Sequence, residues 1–159
     1  SEVHEHWILE RPEEYGPDVR RMLEEGLGIR AVDYVRAVRM REVLRGSVEG
    51  ALRDLDALVL PASPLTAPEV GTKTVLVGGR EVDVYTALLS FTMPFNLTGH
   101  PAVVVPYTLS SEGLPISMQL VGKYERDHEL LAVAMEVERA LGLKKKFNEL
   151  RARTSLPPS

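Results

Sequence analysis

Residues 91–106 read FTMPFNLTGHPAVVVP, and the parsing of this stretch decides the fold. Pro94 and Pro101 bracket Asn96 and Gly99, and a valine run follows at once. A residue that precedes proline is biased away from helix, and glycine next to X-Pro punctuates a chain. The sequence therefore predicts a helix over 84–92 (VYTALLSFT), capped by Asp83, stopped by Pro94 and buried because it is apolar nearly all round. Asn96, with an amide that both donates and accepts, is expected to hold the irregular segment that follows. Gly99 and Pro101 then turn the chain into a strand covered on both faces.

Downstream, 102–108 and 114–122 read as two strands joined by Leu109-Ser110-Ser111-Glu112-Gly113. In the second, Ile116, Met118 and Leu120 alternate with Ser117 and Gln119, which gives one semi-polar face. A helix follows over 127–142: Asp127 is its candidate cap, Leu130, Ala134, Val137 and Leu141 form one stripe, and Gly142 supplies the stop. Residues 152–159 end in LPPS and are expected to fray.

Upstream, 56–60 (DALVL) reads as a buried strand closed by Pro61, and 61–71 as a proline-rich loop. Gly78-Gly79 between valine-rich flanks predicts a small hairpin over 73–83. The first 55 residues read as helical: a short segment ended by Pro12, another opened by Pro17, and a long amphipathic helix over 31–55. Leu44, Val48, Ala51, Leu52 and Leu55 form its apolar side, extended upstream by Val32, Val35 and Val38. Trp7 reads as a packing anchor of the first helix. The fold class is α/β with a small sheet. Three strands can hardly bury themselves on both faces, so the sheet leans on a partner or belongs to something larger.

The 159 residues carry 19 Lys plus Arg against 23 Asp plus Glu, a net charge of −4, which offers no electrostatic case for nucleic acid. The absence of cysteine excludes disulfides, thiolate catalysis and Cys-bound metals. No stretch approaches the ~18 apolar residues of a membrane span. Residues 1–14 lack the basic and apolar regions of a signal peptide, so a cytoplasmic protein is expected. Arg outnumbers Lys 14 to 5, with only three Asn and Gln, a skew that suits a thermophile and equally a GC-rich genome.

The segments with the oddest local chemistry also carry a likeness. DALVLPASPLTAP at 56–68 resembles the strand and proline loop of the amidase signature family. Pro94, Asn96, Gly99-His100-Pro101, the strand 102–106, Gly113-Leu114-Pro115 and Gln119-Leu120-Val121-Gly122 resemble that family's later block in order and spacing. DYVRAVRMR at 33–41 is similar to the helix before the strand. The likeness covers roughly 15–142. It implies that residues 1–151 are the C-terminal portion of an amidase-signature domain, a small mixed sheet covered by helices and incomplete without the N-terminal half. The Ser–cis-Ser–Lys triad and glycine-rich oxyanion loop of the family fall outside this chain. No catalytic residue is therefore assigned, no cofactor or metal is implied, and the chain alone is expected to be inactive. Its implied partners are the N-terminal half of the same enzyme, or a second chain, and a small-molecule amide substrate.

In the family, the helix before the Asn-containing block lines the substrate channel, so Thr86, Leu89 and Met93, at i, i+3 and i+7, are the candidate substrate-binding residues. Asn96, Gly99 and Pro101 form the turn beside that pocket. In the glutamine-dependent tRNA amidotransferase A subunits, the stretch matching Leu89 carries an Asp that reads the glutamine amino group. A leucine would desolvate an ammonium rather than pair with it, which implies a less polar amide. His4 and His6 have H-x-H spacing, but on a helix they point apart. His100 is expected to hydrogen-bond backbone in its turn, His128 to sit at the surface, and Ser110-Ser111 to be turn residues rather than nucleophiles. Two competing functions remain, a stand-alone binding or scaffold domain and part of a tRNA amidotransferase A subunit. Leu89 and the lack of a basic surface weigh against the latter.

Overall fold

A computed structural model describes residues 2–142 and Phe147. The expected frayed tail, 152–159, lies outside the described residues. The chain forms two units, Ser1–Glu42 and Val43–Ser159.

The first unit is helical. A 3-10 turn leads into α1 (Glu5–Glu10), and Pro12 opens a second 3-10 turn instead of continuing the helix. α2 (Pro17–Leu27) starts on a proline, whose missing N–H would have been unpaired in any case. α3 (Ala31–Leu52) begins in this unit and continues beyond it. Exposed pairs such as Arg20–Glu24 at 2.7 Å lace the helices, each contributing about 0.3–0.5 kcal/mol. The expected packing role of Trp7 is corrected. Its ring is 46% exposed and lies under the Arg11 guanidinium, 5.2 Å from the ring centroid, whereas Ile8 is the buried residue of α1. Val32 and Val35 are likewise exposed, so the apolar side of α3 is not buried upstream.

The second unit is organised about a three-stranded sheet, β1 (Leu58–Pro61), β5 (Pro115–Val121) and β4 (Ala102–Leu109), in the order β1-β5-β4. Both ladders are antiparallel, with Leu58 and Ala102 each opposite Val121. α6 (Asp127–Leu141) covers one face, where Leu130 and Ala134 pack with Val105 and Leu120, and Val137 and Leu141 join them. This is the stripe its spacing predicts. The other face packs Val121 against Val48 and Leu52 of α3 and against Phe95. α3 ends at Leu52 instead of Leu55, and Ala51 and Leu55 are exposed. Arg126, not Asp127, is the N-cap of α6; Asp127 sits in the first turn, where its charge complements the helix dipole. Gly142 ends the helix in the left-handed conformation.

A separate hairpin, β2 (Thr74–Val77) and β3 (Arg80–Asp83), turns through Gly78 and Gly79. The expectation that the strands of the larger sheet are covered on both faces fails at its margins. Val59 on β1 is 64% exposed and Val104 on β4 is 53% exposed. Each stands on an outer strand whose far edge pairs with nothing among the described residues.

The turn that feeds β4 fixes a testable point. Gly99 has φ 76°, and a Cβ there would meet the Tyr124 ring at 3.1 Å. Gly113 has φ 81° with open space around it. The left-handed conformation alone costs an L-residue about 1–2 kcal/mol. Gly99→Ala should therefore lower unfolding stability by more than Gly113→Ala, since it adds a clash to the same backbone cost. Urea unfolding of the two variants measures the difference.

Candidate substrate-binding site

The elements that carry the candidate residues are short. Asp83 caps α4 (Val84–Leu89): its Oδ1 accepts the Thr86 N–H at 2.9 Å and the Thr86 hydroxyl at 3.2 Å. The helix stops three residues before the predicted end. Ser90 and Thr92 return their hydroxyl hydrogens to the Ala87 and Leu89 carbonyls, at 2.7 and 3.3 Å, which competes with helical continuation. Nor is α4 buried all round: Val84 and Ala87 face inward, while Tyr85 is exposed. Pro94 does not end a helix. It lies in the first turn of α5 (Met93–Thr98), where its missing N–H costs nothing.

This break corrects the single helical face expected of Thr86, Leu89 and Met93. Thr86 and Leu89 share a side of α4, but Met93 opens the next helix. All three are exposed, Leu89 at 44% and Met93 at 45%. Asn96 is an exposed residue inside α5, with its backbone N–H on the Thr92 carbonyl, and does not stand in an irregular segment. Gly99 is the left-handed C-cap of α5. The Pro101 carbonyl accepts the Gly122 N–H at 2.9 Å, which starts the β4–β5 ladder.

Beside β4, the loop that leaves β1 forms an open groove of about 320 Å³. Ser63, Leu65 and Thr66 line it from the loop, and Val104, Ile116 and Ser117 from the sheet. No ionisable side chain is among its lining residues, so the groove suits an uncharged, mixed apolar and hydroxylic ligand. Thr86, Leu89 and Met93 do not line it.

One residue that sequence reasoning passed over joins the two regions. Gln119 is fully buried, and its Nε2 donates to the Phe91 carbonyl at 2.7 Å and the Pro61 carbonyl at 3.2 Å. Phe91 lies between α4 and α5, and Pro61 is where β1 hands over to the groove loop. The signal was present: a carboxamide in a strand of alternating apolar residues.

Behind α5 lies a second polar cluster. His100 is buried and bonds side chains, not the backbone as expected. Its Nδ1 is 2.8 Å from Thr98 Oγ1 and its Nε2 2.9 Å from Glu49 Oε1. The same Glu49 oxygen accepts the Tyr124 N–H at 3.2 Å. Arg45 donates to the Thr98 carbonyl at 2.9 Å, and its guanidinium stacks on Tyr124. The cluster ties α3 to the turn before β4. The remaining candidates are scattered: His4 bonds Tyr15, His6 pairs with Glu10, and His128 is exposed. Ser110 Oγ accepts the N–H groups of Glu112 and Leu114, which makes it the organiser of the β4–β5 turn.

Comparison with known proteins gives this arrangement its context. The family model described as amidase matches residues 3–131. The chain belongs to the amidase family. It is similar to a solved amidase at 37% identity and a TM-score of 0.82, over 87% of this chain and 32% of the other. It is similar to 6-aminohexanoate cyclic dimer hydrolase at 32% identity and a TM-score of 0.63, over 76% and 27%. The A subunit of glutamyl-tRNA(Gln) amidotransferase from Wolinella succinogenes is 31% identical over 143 residues, 87% of this chain and 30% of that protein. The chain thus spans less than a third of the length of these amidase-family relatives. No helix among the described residues is long and apolar enough to cross a membrane.

The Glu49 carboxylate offers a test of the cluster behind α5. Glu49→Ala leaves the buried His100 ring and the Tyr124 N–H without their acceptor, a loss of about 1–3 kcal/mol. Chemical unfolding should register that loss, and Glu138→Ala, an exposed change on α6, should leave stability within about 0.5 kcal/mol.

Proposed function

We propose that this chain is the C-terminal portion of an amidase-signature amidohydrolase, which hydrolyses a carboxylic amide with a Ser–cis-Ser–Lys triad carried outside it. On this reading residues 1–151 form one part of a larger domain. The chain contributes sheet strands and a wall of the substrate pocket, and its partner is the N-terminal half of the same enzyme or a second chain that supplies it. The observation that carries the reading is the pairing of an amidase match over residues 3–131 with a three-stranded sheet whose outer strands expose Val59 and Val104. An apolar side chain on an open strand edge invites a further strand or covering layer.

The pocket wall in this proposal comprises Thr86, Leu89 and Met93 from α4 and α5, with the turn Asn96, Gly99 and Pro101 behind them. The uncharged groove beside Ser63 and Val104 supports a neutral substrate. Leu89 supports it further, since an apolar side chain there penalises a charged amine in contact with it. The 31% identity to an amidotransferase A subunit favours a second reading, in which the chain is a part of such a protein and glutamine is the amide. Leu89 is the residue that separates the two.

Purified alone, the chain should not turn over a panel of neutral and amino-bearing amides. Turnover should appear when it is combined with the N-terminal portion of its protein, with the neutral amides preferred. Leu89→Asp in that assembled enzyme should shift the preference toward an amide bearing an ammonium group, read as the ratio of kcat/KM values. Turnover by the chain alone that Ser110→Ala or Ser111→Ala abolishes would sink the proposal.

A further inference from the structure

Gln119 sits in the middle of β5, where its neighbours Leu120 and Val121 are both buried in the core. Its side chain is buried on the face that also carries Val104, its partner across the ladder and a lining residue of the groove. The amide nitrogen, with two hydrogens to give, has two acceptors, the Phe91 carbonyl at 2.7 Å and the Pro61 carbonyl at 3.2 Å. Two carbonyl partners settle which end of the carboxamide is nitrogen. The Oε1 atom is buried as well and meets no donor among the described residues.

A methionine or leucine would fill this position without leaving a buried acceptor unpaired. A glutamine is therefore costly here unless its donor half does what an apolar side chain cannot. What that half does is join two stretches far apart in sequence. Pro61 is the last residue of β1, directly before the loop that lines the groove. Phe91 stands two residues after Leu89 and two before Met93, so a contact that holds its carbonyl acts on the link between them.

We propose that Gln119 is a positioning residue, whose amide nitrogen sets the spacing between the groove loop and the α4–α5 turn and so the width of the substrate pocket. The inference rests on the reading above that α4 and α5 wall the substrate pocket, and it adds the groove loop as a second wall. Both hydrogens are needed, so a side chain with one donor can hold only one of the two carbonyls. A carboxylate would face both with acceptors alone.

Gln119 is the only glutamine in the chain, which makes its amide hydrogens assignable. In the chain as it stands, both should exchange slowly with solvent and show proximity to residues 61–62 on one side and 91–92 on the other. Rapid exchange of either hydrogen would overturn the clamp without any variant having to fold. The chain also has no cysteine, so Ala67→Cys with Tyr85→Cys places one spin label by the groove loop and one on α4. With Gln119 intact the label distance should form one narrow distribution, and Gln119→Met should broaden it while the far-ultraviolet dichroism is kept. Gln119→Glu should be broad when ionised and narrow in part on acidification, because a protonated carboxyl regains one donor. A merely space-filling residue would show no such recovery, and unchanged distributions in both variants count against the proposal. In the assembled enzyme, Gln119→Met should raise KM about tenfold with kcat nearly unchanged, the signature of binding weakened equally in the ground and transition states by a pocket of altered width. A clamp seen by exchange and labels, with KM unmoved, would leave Gln119 in place and refute the pocket-wall reading instead.

Discussion

The second unit depends on one constraint: β5 must bury both of its faces at once. Its even-numbered residues, Met118 and Leu120, meet α6, while Gln119 and Val121 face the layer of α3 and α5. The sequence meets this demand by alternating side-chain type as well as polarity along β5. Gly122 extends the same logic. A Cβ there would meet the Leu130 Cβ at 3.0 Å, so the close approach of α6 to the end of β5 requires a residue with no side chain. The helix seated by Gly122 covers Val105 and Leu120, and on the opposite face Val121 completes the cluster of Val48, Leu52 and Phe95.

The sharp change of direction at 91–106 follows from where β4 must start. β4 pairs with β5 from Ala102 onward, and the Gly122 N–H reaches back to Pro101. The chain therefore has to leave α5 and enter the sheet within three residues. Gly99 reverses the helix end in a conformation closed to most residues, and Pro101 restricts His100 to extended backbone. The His100 ring is then pointed inward, and its buried nitrogens need partners that the turn itself does not offer. Thr98 and Glu49 provide them. A tight turn and a buried polar cluster are thus one solution to one geometric demand.

What could be read from the sequence divides along the range of the interactions involved. The Asp83 cap, the glycine hairpin, the α6 stripe and the Gly142 stop each depend on residues within a few positions, and pattern reading found them. The likeness to amidases rested on blocks of the same kind. The break between α4 and α5 was hidden because an apolar run carries no sign of the hydroxyl back-bonds of Ser90 and Thr92, and because proline reads equally well as a stop or as a first turn. The clamp of Gln119 and the pairing of Glu49 with His100 span separations of 58, 28 and 51 residues, and no periodicity encodes contacts of that reach. Of the candidate wall, the sequence placed Thr86 and Leu89 on their helix but misassigned Met93 and Asn96, which lie in α5.

The open edges of the sheet also show how far its strands are adapted to further pairing. The Ala62 N–H bonds Ser117, so alternation along the ladder turns Leu58 and Leu60 toward β5 and leaves Val59 and Pro61 facing outward. On the other margin, the bond from Gly122 to Pro101 turns Val103 and Val105 inward and leaves Ala102, Val104 and Pro106 outward. Each outer strand therefore has a proline at an outward position, where its missing N–H costs the existing ladder nothing. The same proline truncates the row of donors that an additional strand could use, and the register shift after Pro106 bends that edge further. What remains on each margin is a short window centred on an exposed valine. Such an edge is too short to template indiscriminate pairing, yet the backbone groups of Val59 on one margin and of Ala102 and Val104 on the other still face outward beside an exposed valine side chain. The prolines therefore shorten both edges along which a further strand could pair.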